Sequence, residues 1–235
     1  MKTIAIMQPY FLPYLGYFHL LAAVDTFVIY DDIEYTKKGW INRNRLFFGE
    51  KVEYIKLPLV KDSDYLTIDQ RAISPDWSKE KLKHKRKLEQ FYGRRKNFTL
   101  GMELFEEIGS YEDLNLFKFI HHSVLKVSQQ INISTEIVKS SSVGNFSSLK
   151  GKEKVKAICK SLGADSYVNV ISGIDLYDKD DFMAVGLDLK FVKSSLAPYD
   201  QLTNGFVPGL SVLDMIFSIN DTDEMQQQLQ NYELV

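Results

Sequence analysis

MKTIAIMQPYFLPYLGYFHLLAAVDTFVIYDD, residues Met1 to Asp32, is the stretch whose reading decides the fold. Ile4 to Met7 is a short apolar run, and Gln8 to Tyr17 is a loop of prolines, tyrosines and one glycine. Phe18 to Val24 is apolar and compatible with a helix, and Thr26 to Tyr30 is a second strand-like run closed by Asp31 and Asp32. Strand, loop, helix, strand is the opening of an α/β domain. In such folds the loop leaving the first strand lies at the carboxyl edge of the sheet, where ligands bind. Aromatic and phenolic residues in that loop, rather than ordinary turn residues, point to a small-molecule site.

Outward from this unit, Arg45–Phe48 and Val52–Leu57 alternate around a Gly-Glu turn and predict an antiparallel hairpin. Asp76-Trp77-Ser78 opens a charged helix to Tyr92, stopped by Gly93; Phe98–Ile108 is a second helix, and Asp113 is positioned to cap a third. Ser134–Val138 is strand-like, KSSSVGNFSS (139–148) reads as a flexible polar loop, and Gly151–Leu162 is helical with Gly163 as its C-terminal cap. Tyr167–Ile171 and Leu187–Val192 are strands, Ser211–Ser218 is a short apolar helix, and a polar helix starts at Thr222. The expected fold is therefore α/β: a twisted, largely parallel sheet with helices on both faces. It forms a single domain over 1–235, with a charged helical insertion or cap over 70–130.

A formal net charge of -2 argues against a dedicated nucleic-acid binder. One cysteine excludes an internal disulfide and makes a cysteine-based metal site implausible; Cys159 reads as a small buried hydrophobe. No apolar run reaches the ~18 residues a membrane helix needs, and no signal-peptide pattern opens the chain. The expected compartment is the cytoplasm, with no membrane span.

Four constellations could carry chemistry. In the first loop, Tyr10, Tyr14 and Tyr17 can stack on rings and donate hydrogen bonds, Gly16 permits close approach, and Asp31 and Asp32 can hold a hydroxyl, an amine or a metal. The bland alternative is that these residues pack the helix onto the sheet. Pro13-Tyr14-Leu15-Gly16-Tyr17 is similar in spacing to the Pro-x-His-x-Gly-His loop of nucleotidylyltransferases, one residue shorter and with tyrosines for histidines. Neutral tyrosines cannot supply the charge that stabilises a transferring phosphate, which argues against adenylyl transfer by that route. The second constellation, Tyr35 to Arg45, mixes Lys38, Arg43 and Asn42 with Trp40 and would suit a pyrophosphate and a ring; the alternative is a solvated basic loop. The third is the helix Lys79–Lys96, with nine Lys/Arg against two Glu. It is either a solvated face or a docking surface for an acidic carrier protein or coenzyme A phosphates. Its cationic neighbours favour a neutral His84, as a general base requires. His19 reads as packing. His121 and His122 point to different helix faces and cannot share one metal. The fourth is the Pro208-Gly209 turn before Ser211, where Ser211 caps a helix, binds an anion with it, or both.

Together these pieces resemble the WbqC-like proteins along most of the chain. The resemblance is carried by IMQPYFLPYLGYFHLL, DTFVIYDDIEYTKKGWINRNR, KHKRKLEQFYG, SGIDLY and FVPGLSVLDMIF. It implies a role in bacterial surface-polysaccharide (O-antigen) biosynthesis: transfer of an acyl or aminoacyl group to a nucleotide-linked amino sugar. By matching position it implies functional roles for Gln8, Pro9, Tyr10, Pro13, Tyr14, Gly16, Tyr17, Asp31, Asp32, Tyr35, Lys38, Trp40, Asn42, Arg43, His84, Ser211 and Asp214. The expected enzyme binds no metal and no tight cofactor. Its donor is a thioester, on the phosphopantetheine of an acidic acyl carrier protein or on coenzyme A. Asp32 or His84 is the expected base, Tyr14 or Tyr17 polarises the carbonyl, and Lys38 and Arg43 hold phosphates. Two rivals stand beside it: a nucleotide-dependent ligase or transferase, and a non-catalytic binding or assembly factor. All versions expect Tyr14, Tyr17, Asp32 and Trp40 to share one cavity at the rim of the sheet.

Overall fold

Ile4 and Ile6 of β1 (Thr3–Met7) enter one hydrophobic core and Ala5 between them enters another. The same alternation divides Val28 from Phe27 and Ile29 on β2 (Thr26–Ile29). Strands buried on both faces are the mark of a parallel sheet covered on each side by helices. The computed structural model, which describes residues 1–63 and 65–235, shows that sheet. Its six strands run in the order β5-β2-β1-β6-β7-β8, with β5 spanning Glu136–Lys139, β6 Ser166–Val170, β7 Asp188–Ser194 and β8 Tyr232–Leu234. All neighbours pair in parallel except β8, an antiparallel edge strand that the sequence reading lacked. The hairpin stands apart as β3 (Arg43–Phe48) and β4 (Lys51–Lys56), starting two residues before the expected Arg45.

One face of the sheet carries α6 (Gly151–Ser161) and the short α7 (Lys179–Met183), with Val155, Ile158, Cys159 and Phe182 inward. The other carries α1 (Leu15–Ala22), α8 (Val212–Ser218) and α9 (Thr222–Gln230), together with the long helices α2 (Trp77–Tyr92), α3 (Phe98–Gly109) and α4 (Leu116–Gln130). Helix α1 is apolar almost all round because it is covered almost all round. Residues Leu15 to Leu21 are buried, and His19 Nε2 lies 2.8 Å from the Gln228 carbonyl of α9, a packing role as expected. The ring of Phe217 on α8 fills the space that a side chain at Gly101 of α3 would need, so the two helices pack in close contact.

Two local expectations are corrected. The cap of α4 is Asn115, whose side chain accepts from the Lys118 N–H at 3.0 Å; Asp113 instead accepts from the Asn115 N–H at 2.9 Å. The first part of the polar loop, Ser140–Val143, is a turn of helix (α5), because Asp31 across the sheet edge accepts from its serines.

The loop from β1 to α1 is clamped rather than free. Leu12 sits at φ +45°, a conformation that is unfavourable for a residue with a side chain. Its carbonyl accepts from the Asn44 side chain of β3 and, at 2.8 Å, from Ser211 Oγ. Beside it Val212 N–H donates to the Pro13 carbonyl at 2.8 Å, and Phe11 N–H to the Ile41 carbonyl at 2.9 Å. Ser211 also caps α8 by accepting from the Leu213 N–H. Ser211→Ala removes both services and is expected to lower stability by about 1–3 kcal/mol, read as a shifted midpoint in urea at unchanged slope. A loss below ~0.5 kcal/mol would show that the clamp is not structural.

Candidate functional site

The sheet's carboxyl edge has two different ends. Around β1 it is filled. Tyr10 packs against Tyr14, Tyr17 and Trp40, with ring centroids 6.4, 6.1 and 6.1 Å apart. The Tyr14 ring occupies the space that a side chain at Gly16 would need, so the close approach expected there is made by Tyr14 itself. Tyr17 is sealed in the core, its hydroxyl 3.4 Å from the Gln8 carbonyl, and burial raises its pKa. Tyr10 and Tyr14 are raised for the same reason. Arg43 lies over Trp40 and Tyr54 at 5.7 and 5.0 Å and donates to the Gly39 and Lys38 carbonyls at 3.0 and 2.8 Å. It braces its own loop, while the Lys38 side chain is exposed.

Around β2 and β5 the edge is open and polar. Asp31, buried, accepts from Ser140 Oγ at 2.7 Å, from the Ser141 N–H at 2.9 Å and from Ser141 Oγ. Ser140 Oγ lies equally 2.7 Å from Asp32, so one hydroxyl proton serves two carboxylates. Asp32 is paired with Lys154 of α6 at 2.7 Å, and the Lys154 ammonium lies 5.1 Å from the Tyr30 ring. Partial burial alone would raise the Asp32 pKa, but hydrogen bonds from Lys154 and Ser140 outweigh it and hold the group below its ordinary value. A carboxylate so held is a poor base, which corrects the expected role of Asp32.

Beside this clamp lies a cavity of about 640 Å³, bordered by Asp31, Asp69, Lys139, Ser141 and, from α4, His121 and His122. His121 stacks on Phe117 and His122 on Tyr111, with centroids 5.6 and 4.3 Å apart. They use different aromatic partners but face one space. Burial lowers the His121 pKa, with Lys139 adding to the effect and Asp31 opposing it. Among the described residues no group of three or more His, Cys, Asp or Glu could hold a metal.

A second cavity, about 820 Å³, is bordered by Arg71, which follows the short turn Ile68–Gln70. Tyr35 and Asn42 also border it, joined by a 2.8 Å hydrogen bond from the tyrosine hydroxyl to the amide oxygen.

The remaining expected site residues lie elsewhere. His84 is buried and its Nε2 accepts from the Lys56 N–H at 3.4 Å, so the lone pair a base needs is engaged inside the protein. Burial lowers its pKa. Asp214 is fully buried and accepts from Tyr92 and Tyr199 at 2.7 and 2.8 Å, from Gln201 at 3.1 Å, and pairs with Arg95 at 3.8 Å. Like Ser211, it is fully buried and holds the interior together. Cys159 is buried and its thiol is pushed up to about 12. The expected single cavity is thus divided. Tyr10, Tyr14, Trp40 and Arg43 form one braced cluster, Asp31 borders the smaller cavity, Tyr35 and Asn42 the larger, and Asp32 is locked to Lys154. His121, Ser141, Lys139 and Arg71 were missed. The available signal was topological, since a run following β5 must emerge at the same sheet edge as Asp31.

The fold is that of an α/β protein with a cavity at the carboxyl ends of the parallel strands β2 and β5, the edge where such folds bind ligands. The family model of the WbqC-like protein family matches residues 8–226, and the chain belongs to that family. The chain is similar to the uncharacterized protein Rv1507c of Mycobacterium tuberculosis (strain ATCC 25618 / H37Rv), 31% identical over 224 residues that cover 93% of this chain and 94% of the relative. No solved structure matches. No helix among the described residues is long and apolar enough to cross a membrane.

The Asp32–Lys154 pair gives a signed expectation. The folded Asp32 pKa lies below its ordinary value, so the pair adds stability above about pH 4 and loses it as pH falls through the lower, folded value. Lys154→Ala is expected to cost about 1–3 kcal/mol at pH 7 and progressively less below pH 4. Thermal unfolding of both proteins across that range checks it; a deficit that stays constant down to pH 3 would contradict it.

Proposed function

We propose that this protein is an enzyme of bacterial surface-polysaccharide (O-antigen) biosynthesis. It transfers an acyl or aminoacyl group from a thioester, on a carrier protein or coenzyme A, to the amine of a nucleotide-linked amino sugar. Family membership supports the pathway. The observation that carries the chemistry is His121, whose pKa burial lowers, bordering the same cavity as the carboxylates of Asp31 and Asp69.

Thioester aminolysis needs a neutral amine, a base for its proton and charge or hydrogen bonds for the tetrahedral oxyanion. Asp31 and Asp69 attract the acceptor's ammonium to the cavity. His121 takes its proton, the freed amine attacks the thioester carbon, and Lys139 offsets the negative charge gathering on the carbonyl oxygen. The carbon–sulfur bond then breaks, the proton held by the imidazole goes to the departing thiolate, and the imidazole, neutral again, takes the second proton from the nitrogen and passes it to solvent, leaving a neutral amide. Adenylyl transfer at the first loop lacks comparable support, because Tyr14 covers Gly16 and Tyr17 is enclosed.

The test is thiol release together with the mass of the acylated sugar nucleotide, using a panel of acyl thioesters and nucleoside-diphosphate amino sugars. His121→Asn is expected to lower kcat/KM by about 10²–10⁴. A base works when unprotonated and the His121 pKa lies below its ordinary 6.5, so the wild-type rate should fall only below about pH 6.5 and stay flat above it. Absence of turnover with every pair, or an H121N variant as fast as wild type, would sink this reading. Turnover lost with ligand binding intact in the wild type would favour a binding factor.

A further inference from the structure

The larger cavity is bordered by a buried cation that has no ion-pair partner among the described residues. Arg71 is 5% exposed. Its guanidinium lies 4.5 Å from the centre of the Tyr35 ring, and Nη1 donates to the Ser63 carbonyl at 2.8 Å. Nε is buried with no partner, and among the described residues no carboxylate lies within ion-pair distance of the group. A guanidinium withdrawn from water is costly unless an anion or a full set of acceptors compensates it. The tyrosine face offsets part of that cost. Burial, stacking and one carbonyl leave the planar, two-pronged donor that best matches a phosphate.

Among the described residues, Arg71 and four lysines, Lys37, Lys56, Lys61 and Lys79, border the cavity against three acids, Asp62, Asp76 and Glu80. Two of those acids are already engaged: Asp76 with Lys79 at 3.4 Å, and Glu80 with Lys83 at 3.5 Å. Asp62 accepts from the adjacent Ser63 N–H at 2.7 Å. None of the three is paired with Arg71.

We propose that this cavity binds a diphosphate, with Arg71 as its anchor and Lys56 and Lys61 as outer contacts. Calling that diphosphate the one in a nucleotide-linked sugar rests on the proposed function. Spacing supports the assignment. Asp69 borders the smaller cavity and Arg71 the larger, and two residues of chain separate their Cα atoms by at most about 7.6 Å. The two cavities are thus bordered by residues two positions apart on one short segment, Asp69 on one side and Arg71 on the other.

The test is calorimetric titration of the full chain with inorganic pyrophosphate and with a nucleoside diphosphate, at low and moderate salt. The wild type is expected to bind both. Arg71→Gln should weaken binding by about tenfold or more, and Arg71→Lys by less, because it keeps the charge and loses the fork. Lys61 is exposed, so Lys61→Glu should leave the unfolding temperature unchanged while weakening binding several-fold and flattening its salt dependence. His121→Asn should leave pyrophosphate affinity unchanged. If Arg71→Gln does not fold, Lys61→Glu decides. No uptake by the wild type, or a K61E variant that binds like wild type, overturns the site. Binding through Arg71 without any acyl transfer keeps the site and removes the reaction. Acyl transfer with an unchanged KM for the nucleotide sugar in K61E and R71K keeps the reaction and removes the site.

Discussion

One carbonyl oxygen governs where open space can form in this protein. Leu12 holds a backbone conformation unfavourable by an estimated ~1–2 kcal/mol, and its carbonyl is satisfied from two distant parts of the chain, Asn44 on the hairpin and Ser211 at the cap of α8. Those two hydrogen bonds join three of the stretches that carry the family resemblance: the first loop, the basic loop running into β3, and the segment opening α8. The loop after β1 becomes a keystone, and the space it would otherwise leave is filled by Tyr10, Tyr14 and Trp40. Ligand space is displaced sideways, to the mouth of β2 and β5 and to the groove bordered by Arg71.

Charge is handled differently on the two sides of that keystone. In the interior, Asp214 gathers two phenols, an amide and Arg95, so that a fully buried carboxylate has a partner for each of its lone pairs. At the open edge the carboxylates of Asp31 and Asp32 are gripped by serines and Lys154, and Asp31 borders a cavity. His121 and Arg71 are less completely matched. One is an imidazole pushed toward neutrality by burial, and the other a guanidinium with an idle Nε.

The fold was legible in Met1–Asp32 because period-two burial and a covered first helix are local patterns. The parallel sheet and most helix bounds followed from similar patterns. The edge strand β8 was not legible, since its three residues owe their conformation to pairing with β7. The turn of helix at Ser140 was missed for the same kind of reason, as its serines are ordered by Asp31, 109 and 110 positions away in sequence. The site was half legible. Composition identified Asp31, Tyr35 and Asn42, which do border cavities. It could not separate a tyrosine that binds from one that packs, which is why Tyr17 entered the candidate set; Ser211 entered as a helix cap that could also bind an anion, and Asp214 by the family resemblance, and both are buried. His121 was set aside on a correct observation about helix faces, but a wide cavity can be bordered by both of two adjacent residues.

The most direct test of the account is to map where a nucleoside-diphosphate amino sugar perturbs the amide and imidazole resonances of the labelled protein. The account predicts shifts concentrated at Tyr35, Asn42, Lys56–Ser63, Asp69, Arg71, Lys118, His121, His122, Lys139 and Ser141, which border the two cavities, with Tyr17, His84 and Asp214 unmoved. Perturbations centred on the exposed face of α2, or on the aromatic cluster around Tyr14 and Trp40, with none at His121 or Arg71, would contradict it.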